Sequence, residues 1–397
     1  MNIPIPENVM QALEILGKNG YSAYAVGGCV RDSLLGNKPD DWDICTSALP
    51  EQTAECFADY RVIPTGVKHG TITVIVEKPL EITTFRIDGD YLDNRRPSEV
   101  SFTRRLEDDL CRRDFTVNAM ALSADGEITD LYGGQEDLKA KLIRCVGYAE
   151  TRFDEDALRI MRALRFASVL GFEIESETAD AIRKKRQLLA NIAAERIVKE
   201  FTKLLRGNCA DIIFGYSEVI KIFLPIADFS ADTVRLIAAS PADPLLRLAI
   251  LLSKSSAEDA EKMLRKLKYD NCTLKYVTLI LESADMSLTD SRPQVKRLIN
   301  KFGEEYAKLI VDYHFYTEKI SAYLHRSIVD TIDDITAKGE CCTLSKLAVN
   351  GSDIASLGIC PQNKIGKVLY SLLEKVMDGE CENEKNTLIQ LAQNLKY

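Results

Sequence analysis

Two aspartates two residues apart, Asp41 and Asp43, are the first positions in this chain whose type and spacing suggest chemistry. On a strand, residues i and i+2 project from the same face. Two carboxylates held side by side repel each other unless a cation sits between them, which is how Mg2+ is gripped against substrate phosphates. Upstream, Gly27-Gly28 follows a β-rich run and opens a helix, so backbone amides there can approach a phosphate. Arg31 stands one turn into that helix, where its guanidinium can add a forked phosphate contact. A glycine turn and a solvated acidic turn would each explain half of this pattern. The ordered set of strand, Gly-Gly, helix and Asp-x-Asp points instead to a metal-assisted phosphate site.

A second constellation is Asp156-x-x-Arg159, with Arg162 and Arg165 at further steps of three. Read as one helix, Asp156 and Arg159 share a face and the other arginines extend the stripe, Arg162 and Arg165 being placed to hold a triphosphate. An ion pair on a solvated helix face also accounts for this spacing. The chemical alternative is base reading. Cytosine and adenine each offer an amino donor beside a ring-nitrogen acceptor; a carboxylate accepts from the first and a guanidinium donates to the second. Guanine and uracil present a carbonyl and a ring N–H there and mismatch both groups. Between the two constellations lies Arg112-Arg113-Asp114, with Asn118 four residues on; in isolation it reads as a salt-bridged helix end. Glu81, in the strand LEITTFR, is a candidate third carboxylate beneath the metal pair, and His69 reads as a turn residue.

These residues need a scaffold, and the hydrophobic pattern supplies one. Glu7–Gly17 reads as a helix; Tyr21–Val26, Trp42–Cys45, Thr71–Val76 and Leu80–Phe85 read as strands, with Lys78-Pro79 as the turn between the last two. Residues 87–104 are polar and read as one long loop. Beyond about residue 150 the pattern is helical almost throughout, with stripes such as Leu158, Met161, Leu164, Ala167 and Val169-Leu170. The expected architecture is an α+β head with a mixed sheet, 1–148, followed by an all-helical neck, 149–206, body, 207–290, and tail, 291–397.

Composition narrows the classes. A chain of 397 residues, 46% hydrophobic and 28% charged, is too long for one core and predicts two to four packed units. No run approaches the roughly 18 apolar residues of a membrane span. The N-terminal MNIPIPENVMQALEIL lacks a basic n-region and a cleavage site, so it reads as a domain helix and the expected location is cytoplasmic. The 11 cysteines are scattered without a C-x-x-C pair and read as small buried hydrophobes in a reducing compartment. None of the 3 histidines adjoins an aspartate, which argues against a His/Asp metal hydrolase. The net charge of −9 hides a gradient, because residues 141–210 carry 14 Lys/Arg against 10 Asp/Glu. Arg183–Arg186 and Lys262–Lys268 are candidate contacts for an RNA backbone, or simply solvated faces.

The motifs together resemble the class II nucleotidyltransferases that add CCA to tRNA 3′ ends, a family shared with bacterial poly(A) polymerases. GGCVRDSLLG…DDWDICTSA resembles the family's first motif, CRRDFTVNAMA (111–121) the second, and RIDGDYLDNRRP (86–97) its flexible loop. EDALRIMRALRFA (155–167) is similar to its nucleotide-reading motif, AAERIVKEFTKLL (193–205) to the helix that follows, and LAVNGSDIASLGICPQNKIGKVL (347–369) to the tail of its shorter bacterial members. The resemblance implies catalytic and metal-binding roles for Asp41 and Asp43, which would hold two Mg2+ ions for a two-metal nucleotidyl transfer. It implies nucleotide binding by Gly28, Arg31, Arg113, Asp156, Arg159, Arg162 and Arg165, CTP and ATP as substrates, and tRNA as partner, with no protein partner called for. Asp88, Asp93, Arg95 and Arg96 look like an intact loop, which favours full CCA addition over C-only addition. Addition of A alone, poly(A) synthesis, and a non-catalytic nucleotide- or RNA-binding module are the alternatives.

Overall fold

The structure is a computed structural model and describes residues 3–89 and 100–394. It divides into two compact units, Met1–Pro225 and Ile226–Tyr397.

The first unit is built on a seven-stranded mixed sheet. Its strands are β1 (Ala23–Val26), β2 (Asp43–Thr46), β3 (Arg61–Gly66), β4 (Thr71–Val76), β5 (Lys78–Thr84), β8 (Met120–Leu122) and β9 (Ile128–Asp130), in the order β3-β4-β5-β2-β1-β8-β9. All neighbours run antiparallel except β2 and β5, which are parallel. Two short strands, β6 (Arg86–Asp88) and β7 (Val100–Phe102), form a separate antiparallel ribbon. The expected loop 87–104 therefore begins and ends as β structure; Asp93, Arg95 and Arg96 lie outside the described residues. The expected turn at Lys78-Pro79 is also corrected. Both residues belong to β5, and the chain reverses at Glu77, whose φ is +59°. Strands β3, β8 and β9 were not legible in advance, being short or carrying Pro, Gly and Asp.

Helix α1 (Glu7–Lys18) places Val9, Ala12, Leu13 and Leu16 along one buried stripe. That stripe packs on Ile44, Ile72, Val74, Leu80 and Ile82, which alternate along their strands with residues of the opposite face. The opposite face therefore carries Asp43 and Cys45 of β2 and Glu81 and Thr83 of β5. Two further head helices follow β1 and β2, α2 (Gly28–Leu34) and α3 (Pro50–Cys56); α4 (Leu106–Cys111) and α5 (Gly134–Ala140) come later.

Next come α6 (Ala149–Glu155), α7 (Leu158–Leu170), α8 (Ser176–Lys185) and α9 (Ala194–Leu204). Helix α7 is buried over most of its circumference and ends at Gly171 in the left-handed region, φ +66°. Val169 leaves the expected apolar stripe and is half exposed. The Ser168 hydroxyl donates to the Leu204 carbonyl at 2.7 Å, joining α7 to α9. The basic run Arg183–Arg186 makes ion pairs while Arg183 and Lys184 stay exposed. Lys184 meets Glu150 at 2.7 Å and Lys185 meets Asp154 at 2.6 Å, fastening α8 to α6, while Arg183 meets Asp180 and Arg186 lies 3.7 Å from Glu218.

The second unit is helical from Ala231–Ala239 to Lys385–Asn394. Pro244 and Pro293 sit in the first turns of Pro244–Leu251 and Arg292–Phe302, where a missing backbone N–H costs no helical hydrogen bond. Lys262 and Arg265 pair with Glu258 and Glu261 one turn back. Around Val368, Leu372, Leu373 and Leu388 the last segments build a core cluster of their own. Six of the 11 cysteines are buried as expected, whereas Cys111 and Cys272 are exposed. No helix of the described residues is long and apolar enough to cross a membrane.

Candidate active site

Asp43 opens β2, so Asp41 lies in the segment leading to the strand, a correction to the expectation that both share a strand face. Both line one groove of about 1130 Å³, together with Lys38, Thr73, Lys78 and Glu81. In the sheet Asp43 is registered directly beside Glu81 of the parallel strand β5. The side chain of Asp43 is open to solvent, yet partial desolvation by its surroundings raises its pKa above the ordinary carboxylate value, and the negative charges of Glu81 and Asp41 push it the same way; Arg113 opposes them. Such a set of mutually repelling carboxylates is what a divalent cation relieves, so the residues present fit one. Among the described residues no group of three or more His, Cys, Asp or Glu side chains is arranged to hold an ion unaided. A cation here draws the rest of its shell from substrate oxygens and water.

Behind the carboxylates, Gly27 takes φ +85°, and a Cβ there would come within 3.3 Å of Arg113 Nη1. Glycine is thus required both for the turn and for the approach of Arg113. Gly28 begins α2, and Arg31 is turned inward. Its Nε and Nη2 donate to the two Asp32 oxygens at 2.8 and 2.9 Å, and its Nη1 donates to Asn118 Oδ1 at 2.6 Å. Asn118 Nδ2 donates in turn to Asp114 Oδ1 at 3.1 Å. The other Asp114 oxygen accepts from Arg162 Nε at 2.8 Å and Nη2 at 2.5 Å. One hydrogen-bonded chain therefore runs from the glycine turn of the head to α7. Arg112 and Arg113 both bind the fully buried Asp109, at 2.8 and 2.9 Å.

Burial works against ionisation of Asp114, yet Arg162, the Asn118 hydrogen bond and Arg159 outweigh it and hold the carboxyl far below its usual range. The sign follows from linkage. The folded value lies below the unfolded one of about 3.9, so the stabilisation is complete above roughly pH 4 and drains away as pH falls toward the folded value. Asp114→Asn should cost about 3 kcal/mol at pH 7, because it removes the nearest anion of the largely buried Arg162 and leaves only Glu200 at 3.9 Å. Urea denaturation checks this, and the gap between variant and parent should shrink below about pH 4.

Asp156 and Arg159 do not lie on one helix. Asp156 is the extended residue between α6 and α7, φ −134° and ψ +101°, and its Oδ1 accepts from Leu158 N at 3.1 Å. The two side chains do not pair with each other. Asp156 Oδ2 accepts from Arg196 Nη2 of α9 at 2.9 Å. Arg159 pairs with Glu155 at 2.6 Å and donates through Nη2 to the Arg112 carbonyl at 2.9 Å. Arg165 pairs with Glu200 at 2.9 Å, and Glu200 also lies 3.9 Å from Arg162. Burial pushes the Arg165 pKa down to about 10. The dipeptide Arg112-Arg113 is the hinge point of the arrangement: Arg113 faces Asp43 and Gly27, and the Arg112 carbonyl receives Arg159. Glu155, Arg196 and Glu200 were missed in the sequence because each acts through a partner on another helix. Glu81 was legible, standing on the face opposite Leu80 and Ile82.

Three family models match in chain order: "Poly A polymerase head domain" over residues 23–144, "Probable RNA and SrmB- binding site of polymerase A" over 171–215, and tRNA nucleotidyltransferase domain 2 over 245–392. A CCA-adding enzyme from Lactobacillus helveticus is 35% identical over 394 residues, covering 97% of this chain and 96% of that protein. This chain belongs to the CCA-adding enzyme family. A second relative, the CCA-adding enzyme of Bacillus cytotoxicus, is 35% identical over 95% of both chains. The crystal structure of the Bacillus stearothermophilus CCA-adding enzyme in complex with CTP superposes with a TM-score of 0.83 at 33% identity, over 98% of both chains. A Thermotoga maritima CCA-adding enzyme complexed with tRNA shares the fold, with a TM-score of 0.67 at 20% identity over 99% of this chain and 96% of that one. The expected family and fold class, a mixed-sheet head followed by helices, are those found, and the chain is a nucleotidyltransferase of a kind that generally uses divalent metal ions.

Proposed function

We propose that this chain adds C, C and A in turn to the 3′ end of tRNA, drawing on CTP and ATP, releasing pyrophosphate and using Mg2+, without a nucleic-acid template. The observation that carries the reading is the Arg112-Arg113 junction, which ties the carboxylate groove to the Arg159 region within one unit. Full-length relatives that bear the name of this activity support it.

In this reading Asp41 and Asp43 hold the metal, with Glu81 beside them. Bound there, Mg2+ supplies charge neutralisation at the α-phosphate and lowers the pKa of the attacking 3′ hydroxyl. Every other part is played by the chain. The Gly28 turn, Arg31, Arg162 and Arg165 receive the triphosphate, and Arg113 contributes from beneath the turn. Asp156 and Arg159 read the Watson–Crick edge, which requires Asp156 to present an oxygen past its Arg196 partner. Pyrophosphate departs along the arginines, and no covalent enzyme intermediate is required. Residues 1–148 do the chemistry, 149–206 read the nucleotide, and 207–290 and 291–397 meet tRNA by shape, in the cytoplasm.

Labelled CTP and ATP offered with three RNAs test the proposal. tRNA ending before CCA should gain two C and one A, tRNA ending in CC should gain one A, and a plain RNA should gain nothing. Extension of the CC-ended tRNA alone means an A-adding enzyme, a long A tail on plain RNA means a poly(A) polymerase, and no incorporation means a non-catalytic binding module.

A further inference from the structure

Phe166 stands among three guanidinium groups, two from its own helix α7 (Arg162 and Arg165) and one, Arg31, from α2. The Arg165 guanidinium carbon lies 3.9 Å from its ring centroid, that of Arg31 5.0 Å, and that of Arg162 5.4 Å. The ring is 7% exposed and meets the fully buried Phe115 edge-on, with centroids 5.7 Å apart. Three like charges around one side chain repel one another. Asp32 offsets this beside Arg31, Asp114 beside Arg162, and Glu200 beside Arg165 and, at 3.9 Å, Arg162. The Arg165 pKa is pulled down by burial, which Glu200 opposes and to which the charges of Arg162 and Arg31 add. A leucine or methionine would fill the same space; only an aromatic ring adds an electron-rich face that attracts cations.

We propose that Phe166 is a positioning residue that gathers Arg31, Arg162 and Arg165 around one ring, forming a cationic cluster that receives the triphosphate of the incoming nucleotide. The inference rests on the reading of those three arginines as triphosphate holders. The ring acts through them, so its effect falls on nucleotide affinity and not on the transfer step.

Site-specific replacement of Phe166 by 4-fluoro-, 3,5-difluoro- and 3,4,5-trifluorophenylalanine keeps the ring's size and apolar character while draining its face of electron density. KM and kcat for CTP and ATP with tRNA lacking CCA, and the Kd of inorganic tripolyphosphate by calorimetry, are the readouts. KM and Kd should climb stepwise to roughly tenfold for the trifluoro ring, with kcat unchanged within about twofold and an unaltered melting temperature. Phe166→Trp should retain near-parental affinity, because it keeps an aromatic face. Flat KM and Kd across the series, or no tripolyphosphate binding by the parent protein, would overturn the proposal. If the parent fails to incorporate CTP while tripolyphosphate affinity still tracks fluorination, the functional reading falls and the cluster stands. If the parent incorporates CTP and the series is flat, only the role of Phe166 falls.

Discussion

Asp43→Asn should reduce CTP incorporation into tRNA lacking CCA by at least about 10³-fold and leave the melting temperature unchanged or slightly higher. The two halves of this result have one cause. Asp43 sits beside Glu81 on the neighbouring strand with Asp41 close by, and partial desolvation together with those charges already raises its pKa. Removing one negative charge from a self-repelling set relieves the fold. The same change removes the charge that a divalent ion needs. Asp41→Asn should behave alike, since Asp41 is exposed on the rim of the same groove. Protons compete with the metal for a carboxyl whose pKa is raised, so activity should fall on the acid side earlier than for an ordinary aspartate, and higher Mg2+ should restore part of it. Turnover near the parental value in either variant would contradict the metal assignment.

Arg159→Ala should collapse nucleotide choice. Parent enzyme is expected to prefer CTP over UTP strongly, and the variant should lose about 10–100-fold of that preference, the worth of one well-placed edge contact. Steady-state kcat/KM for the two nucleotides on the same tRNA measures it. Arg159 also donates to the Arg112 carbonyl and pairs with Glu155, so the variant will lose some stability as well. Arg196→Ala separates the two effects. It removes the partner of Asp156 without touching Arg159, and it should loosen selectivity by a smaller factor while leaving the Arg112 link intact. Selectivity unchanged in both variants would remove base reading from the account.

The sequence was readable where a property is local. The Gly27-Gly28 turn, the apolar stripe of α1 and the β-branched strand β4 each follow from neighbouring residues, and all three form as expected. Candidate site residues could be named by type, but the hydrogen bonds and ion pairs they make could not. Helical spacing placed Asp156 and Arg159 on one face, whereas Asp156 ends α6 and its carboxylate caps Leu158 N. Nothing within four residues reveals that its partner is Arg196, 40 positions away. The basic run Arg183–Arg186 gave no sign of its ion-pair partners, because Glu150 and Asp154 lie on another helix. Nothing local singles out Phe166, because one of the guanidiniums beside it belongs to Arg31, 135 residues earlier in the chain. Long-range charge pairing is thus what local pattern leaves out here.

The most direct test is a crystal of this protein grown with CTP and Mn2+ in place of Mg2+. One anomalous peak or two on Asp41 and Asp43, touching the α-phosphate of a nucleotide whose cytosine edge meets Asp156 and Arg159, is the predicted result. A nucleotide bound with its base away from Asp156 and Arg159, or manganese seated on other side chains, would contradict it.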